Sequence, residues 1–155
     1  MTYELIKLIH ILSGAVLFGT GAGIAFFMLR ADATRDARTV AAVARIVVLA
    51  DVVFTATAVV VQPVSGLMLI VIQGYSLTEP WLMAAYGLYI LTGLCWLPVV
   101  AIQVRLKVLA EQAAAADVAL PVAYDRLYRW WFVLGWPAFA AVLGIYWLMV
   151  AKPDF

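Results

Sequence analysis

The chain has 155 residues, 67% of them hydrophobic and 12% charged, with a formal net charge of +1. Soluble domains run nearer half apolar and a quarter charged, so this composition excludes one and points to an integral membrane protein of a single domain, residues 1–155. It also excludes the basic surface that a nucleic acid needs, and a lone cysteine, Cys95, excludes an intrachain disulfide or a Cys/His zinc site.

Four hydrophobic stretches follow, at about residues 3–29, 46–72, 81–102 and 128–150, each long enough to cross ~30 Å of hydrocarbon. The first opens on Tyr3-Glu4 with no positive leader region, so it reads as a retained span rather than a cleaved signal peptide. It carries His10, the only histidine. On a helix Lys7, His10, Gly14, Leu17 and Gly21 share one face, with two glycines making a flat shelf beside the imidazole. A polar link from Arg30 to Arg45 leads to the second stretch, which holds Asp51, Thr55, Gln62 and Pro63. Asp51, Thr55, Ala58, Gln62 and Ser65 recur at steps of four and three, a polar stripe that should face the bundle interior.

Gln73 to Pro80 reads as a turn by its Gly, Ser and Pro. The third stretch carries Tyr86, Tyr89 and Gly93 on one face, and Pro98 predicts a kink. Its helix is expected to continue past Gln103 with rising charge and to break near Pro121. The fourth has Trp136-Pro137 as a second kink, and Lys152 to Phe155 form a tail. Arg30, Arg35, Arg38 and Arg45 lie in one link and Arg105, Lys107, Arg126 and Arg129 in another, whereas the intervening turn has no basic residue. That asymmetry puts both links in the cytoplasm and both termini on the periplasmic side of a bacterial inner membrane. The expected fold is all-α: an up-down-up-down transmembrane four-helix bundle.

An ionisable group inside a span is a functional hypothesis, because hydrocarbon offers it no water. His10 lies roughly 10 Å below the outer surface at 1.5 Å of rise per residue. There it reads either as an axial ligand of haem iron or as a neutral ring hydrogen-bonded to a Tyr or Gln of a neighbouring span. Haem b would be bounded by His10, Lys7, Gly14, Gln62, Tyr86 and Tyr89. The sixth iron ligand would come from Met68, Met83, Lys7, a water or a second subunit. Lys7 otherwise snorkels to the headgroups. Toward the cytoplasm, Asp51 and Thr55 read as a proton relay. The alternative makes Asp51 a structural partner of Arg45, Arg30 or a Trp, with Trp136 at similar depth. Gln62-Pro63 with Ser65-Gly66 reads either as an unwound binding segment or as a proline kink whose freed carbonyls are met by side chains.

Lys7-Leu-Ile-His10-Ile-Leu-Ser13, Asp51-Val-Val-Phe-Thr55, Gln62-Pro-Val-Ser-Gly66, Cys95-Trp-Leu-Pro98, Gly135-Trp-Pro137 and Trp147-Leu-Met-Val-Ala-Lys-Pro153 together resemble a bacterial family of predicted integral-membrane proteins, a domain of unknown function. That resemblance implies a membrane bundle and no particular activity. More distantly, the opening Lys-x-x-His and closing Val-x-Lys-Pro resemble the HemJ-type protoporphyrinogen oxidases, which implies His10 as a haem ligand. The chain departs from that pattern where the HemJ-type lysine falls on Ala85 and where Gly135-Trp136 replaces Asn-Glu.

Three functions follow as expectations. The first is a haem- or porphyrin-binding membrane protein with a redox role in haem or quinone chemistry, related to the HemJ-type oxidoreductases. The second is a non-catalytic accessory or assembly protein whose buried polar groups fix helix packing. The third is a small transporter or channel, which four spans would support only as a homo-oligomer.

Overall fold

The computed structural model describes residues 1–153. Among them four long helices form: α1 (Thr2–Ala33), α2 (Ala37–Gln73), α3 (Pro80–Ala116) and α4 (Val122–Ala151). No strand occurs among the described residues. All four are apolar enough to cross a membrane. Asp154 and Phe155, the last residues of the expected tail, lie outside the described residues.

Successive helices run antiparallel, as short connections require. At one end Gln73 Nε2 donates to the Tyr3 hydroxyl at 2.9 Å, and Lys152 Nζ donates to the Tyr75 hydroxyl at 2.8 Å. Lys152 also sits over the Tyr75 and Trp81 rings. At the other end charge closes the bundle: Arg35 with Asp125 at 2.8 Å, Arg38 with Asp117 at 2.8 Å and Arg45 with Glu111 at 3.0 Å.

The expected polar link from Arg30 to Arg45 is much shorter in the structure. Only Thr34–Asp36 leave the helix, and α2 begins at Ala37. Asp36 starts it: its carboxylate accepts from the Thr39 N–H at 2.8 Å and from the Thr39 hydroxyl at 2.6 Å. The carboxylate thus satisfies a backbone N–H that the helix start leaves open, and both donors hold the exposed carboxyl below its usual range. The charges marked a change of composition, not the end of the helix.

With 37 residues each, α2 and α3 are about 55 Å long, well beyond the hydrocarbon thickness. Their charged ends pack together. Val40, Ala41, Ala44 and Val47 of α2 meet Leu106, Ala110 and Ala113 of α3, with Met28, Tyr124 and Trp131 completing the cluster. Small residues on both helices allow this close approach. As expected, α3 continues past Gln103, and the chain re-enters a helix after Pro121. Both helices pass through their prolines, Pro98 and Pro137, without interruption. A smaller cluster of Ile70, Trp81, Leu82, Ala85 and Leu148 holds the opposite end. Large apolar side chains such as Phe26, Leu49, Val60, Leu94 and Val150 point outward, as lipid contact requires.

Candidate functional site: two polar clusters inside the bundle

Facing turns of α1 and α2 build the first cluster. His10 and Ser13 are three residues apart on α1, as are Gln62 and Ser65 on α2, so each pair shares a face. His10 Nδ1 lies 2.9 Å from Ser65 Oγ, and its Nε2 lies 3.3 Å from Gln62 Nε2. The Ser13 hydroxyl donates to Gln62 Oε1 across a short contact and lies 3.0 Å from the His10 carbonyl. Ser65 Oγ is also 2.7 Å from the Val61 carbonyl, which can only accept. One consistent set of protons therefore follows. Ser65 donates to Val61, His10 donates from Nδ1 to Ser65, and Gln62 donates to the bare Nε2. In that set the ring carries one proton and both nitrogens are engaged.

The glycines explain why these helices come so close. A Cβ on Gly66 would stand 3.1 Å from His10 Cε1. A Cβ on Gly14 would stand 3.1 Å from the Tyr146 hydroxyl and 3.4 Å from Gln62 Nε2. Gly14 is thus covered by side chains of α2 and α4, and Phe18 adds stacking on Phe139 and an edge contact with Tyr146. Gly21, the other half of the expected shelf, is exposed with nothing within 4 Å.

Of the residues expected around a cofactor, the structure brings together His10, Gly14 and Gln62. Lys7 is exposed and sits over the Tyr3 ring. Met68 and Met83 are 46% and 56% exposed on the outer surface, and Tyr86 is 38% exposed. Tyr89 takes a different role. Its hydroxyl donates to the Val59 carbonyl, the group that Pro63 deprives of its helical N–H four residues on. The stretch Gln62–Gly66 is regular helix rather than an unwound segment.

Asp51 organises the second cluster. It begins a single wide π-type turn, Asp51–Thr55, in the middle of α2. Such turns are rare and often sit at functional sites. Asp51 is 4% exposed, and its Oδ1 accepts from Trp96 Nε1 at 3.3 Å. With its amide oriented by its neighbours, Gln103 donates to Asp51 Oδ2 at 2.8 Å and accepts from Trp131 Nε1 at 3.1 Å. The Thr55 hydroxyl is buried with no hydrogen-bond partner of its own among the described residues. Arg45, expected to pair with Asp51, is engaged with Glu111, and Trp136 is 62% exposed.

The sequence alone did not single out Ser13 beside His10, or Trp96, Gln103 and Trp131 around Asp51. The matched three-residue spacing of His10/Ser13 and Gln62/Ser65 was a usable signal. Gln103 gave none, because it stands just past the expected end of the third span.

A haem needs a free imidazole nitrogen and a flat space beside it. Here both nitrogens are bonded, α2 lies against the ring at Gly66, and side chains fill the face at Gly14. As arranged, these residues do not fit the macrocycle. Among the described residues no three His, Cys, Asp or Glu side chains gather to hold a metal ion.

No curated protein and no solved structure matches the chain. A family model does match, over residues 4–153, and by that coverage the chain belongs to the predicted integral membrane protein family DUF2269.

Proposed function

We propose that this chain is a non-catalytic integral-membrane protein, an accessory or assembly subunit whose buried polar side chains fix how its helices pack. The observation that carries this reading is the closed hydrogen bonding of His10. Each ring nitrogen meets a side chain of α2, and Gln62 in turn is held by Ser13 of α1. Such bonds between membrane helices contribute about 0.6 kcal/mol each on average and up to ~1.7. We place the protein in a bacterial inner membrane with both termini periplasmic, on the strength of its Arg-rich links.

The competing reading holds haem b or a porphyrin through His10, with HemJ-like redox chemistry. It would require Gln62 to leave Nε2, and that 3.3 Å contact is the longer of the two on the ring. Absorption spectroscopy and denaturation of the purified protein separate the two. The packing reading expects no Soret band, as isolated or after haem addition, and a His10→Ala variant less stable by about 1–3 kcal/mol. A Soret band that the variant loses without losing stability would overturn it.

A further inference from the structure

We infer that Asp51 is a proton-binding site: a neutral carboxylic acid that shares its proton with Thr55 inside the π-type turn. This goes beyond helix packing, and it stands or falls independently of the His10 cluster.

Four observations carry it. Asp51 is buried, at 4% exposure, within an apolar span. Among the described residues no cation pairs with it, and Arg45, the nearest basic residue along its own helix, is engaged with Glu111. The groups that do reach it, Trp96 Nε1 and the Gln103 amide, are neutral donors, one to each oxygen. Finally, Thr55 closes the same turn four residues on, 6% exposed, its hydroxyl without a partner among the described residues. Thr55 Oγ1 is a polar partner within the turn, able to accept the acid O–H while both carboxyl oxygens go on accepting.

The surroundings favour the uncharged form from every side. On α1, no titratable residue occurs between His10 and Arg30, and Arg30 is exposed. On α3, Trp96 and Gln103 face the carboxyl, with the buried Cys95 thiol beside them in sequence and Arg105 exposed. On α4 the facing group is Trp131, with Tyr128 one turn away and Arg129 exposed. An unpaired carboxylate in such a place is strongly disfavoured, and binding a proton removes the charge.

A lipophilic carbodiimide tests this directly, because it reacts with protonated carboxyls in apolar surroundings. The acid O–H adds across one C=N bond: the carboxyl oxygen bonds the central carbon and the proton goes to nitrogen. Migration of the acyl group to the other nitrogen then leaves a stable N-acylurea. The full chain in lipid vesicles is treated with dicyclohexylcarbodiimide across a pH series, and each peptide is read by mass spectrometry. Label should concentrate on the peptide holding Asp51 at neutral pH and fall about tenfold per pH unit above the midpoint. Thr55→Val should keep the fold and move that midpoint, since the carboxyl loses the hydroxyl of its own turn; an unmoved midpoint would overturn the part given to Thr55. An infrared carbonyl band of the protonated acid, absent in Asp51→Asn, should appear in the unlabelled protein. No label and no such band at neutral pH overturns the inference. So does protection by sodium at fixed pH, which would assign the turn to a metal cation instead.

Discussion

Pro63 and Tyr89 allow an exacting test of how this bundle satisfies its backbone. Proline has no N–H, so the Val59 carbonyl four residues earlier loses its helical partner, and the Tyr89 hydroxyl from α3 donates to it instead. Tyr89→Phe removes that donor in a place without water. An ordinary interhelical bond in a membrane contributes about 0.6 kcal/mol. A buried carbonyl left with no partner costs ~1–3 kcal/mol, and the second figure applies here because the helix has no N–H to offer. The expected loss in Tyr89→Phe is therefore about 1.5–2 kcal/mol. Pro63→Ala restores the N–H at that position, so adding Tyr89→Phe to it should cost only ~0.5 kcal/mol. The coupling of about 1 kcal/mol would stand above the ~0.3–0.5 kcal/mol within which independent sites add. Reversible unfolding in mixed micelles, followed by circular dichroism on all four proteins, measures the cycle. Equal losses from Tyr89→Phe in both backgrounds would refute the pairing.

Three further outcomes follow from the same geometry. Gly66→Ala puts a methyl 3.1 Å from His10 Cε1, so the ring must retreat from its 2.9 Å contact with Ser65; unfolding should show a loss of about 1–3 kcal/mol. Gly21→Ala, with open space around it, serves as the neutral control. Arg45→Ala should change stability by less than ~1 kcal/mol, because its pair with Glu111 is largely exposed; a loss of several kcal/mol would mean that Arg45 serves Asp51 after all. At the start of α2, the Asp36 carboxyl sits below its usual range in the folded state because Thr39 donates to its charged form. Its cap is therefore complete above the ordinary carboxylate range and lost as pH falls through the lowered value. Amide-exchange protection of residues 37–40 should drop on acidification, and should already be low at neutral pH in Asp36→Ala.

The bundle was legible in the sequence because hydrocarbon imposes a length and a composition that four stretches meet and the links do not. Helix ends were less so. The charged segments 37–45 and 103–116 are as helical as the apolar ones, since Asp36 caps α2 and Asp117, in the left-handed conformation, ends α3. Spacing along one helix put Asp51, Thr55, Gln62 and Ser65 on one inward stripe, and in the structure Gln62 and Ser65 meet His10. It failed for Lys7, Met68 and Met83, whose depth was suitable but whose direction around the helix is set by which neighbour packs where. The glycine at the imidazole is Gly66 of the facing helix rather than one on its own face, a contact between elements that periodicity within one element does not contain. Trp96, Gln103 and Trp131 converge on Asp51 from α3 and α4 for the same reason.

Because His10 is the only histidine, its ring gives a single, unambiguous pair of nitrogen-15 signals. Spectra of the protein in lipid, before and after haem is added, test the central claim directly. A closed, packing imidazole should show one protonated nitrogen, Nδ1, and one unprotonated nitrogen, Nε2, with neither signal moved by haem. Loss or a large displacement of the Nε2 signal on haem addition would contradict it and make His10 a ligand.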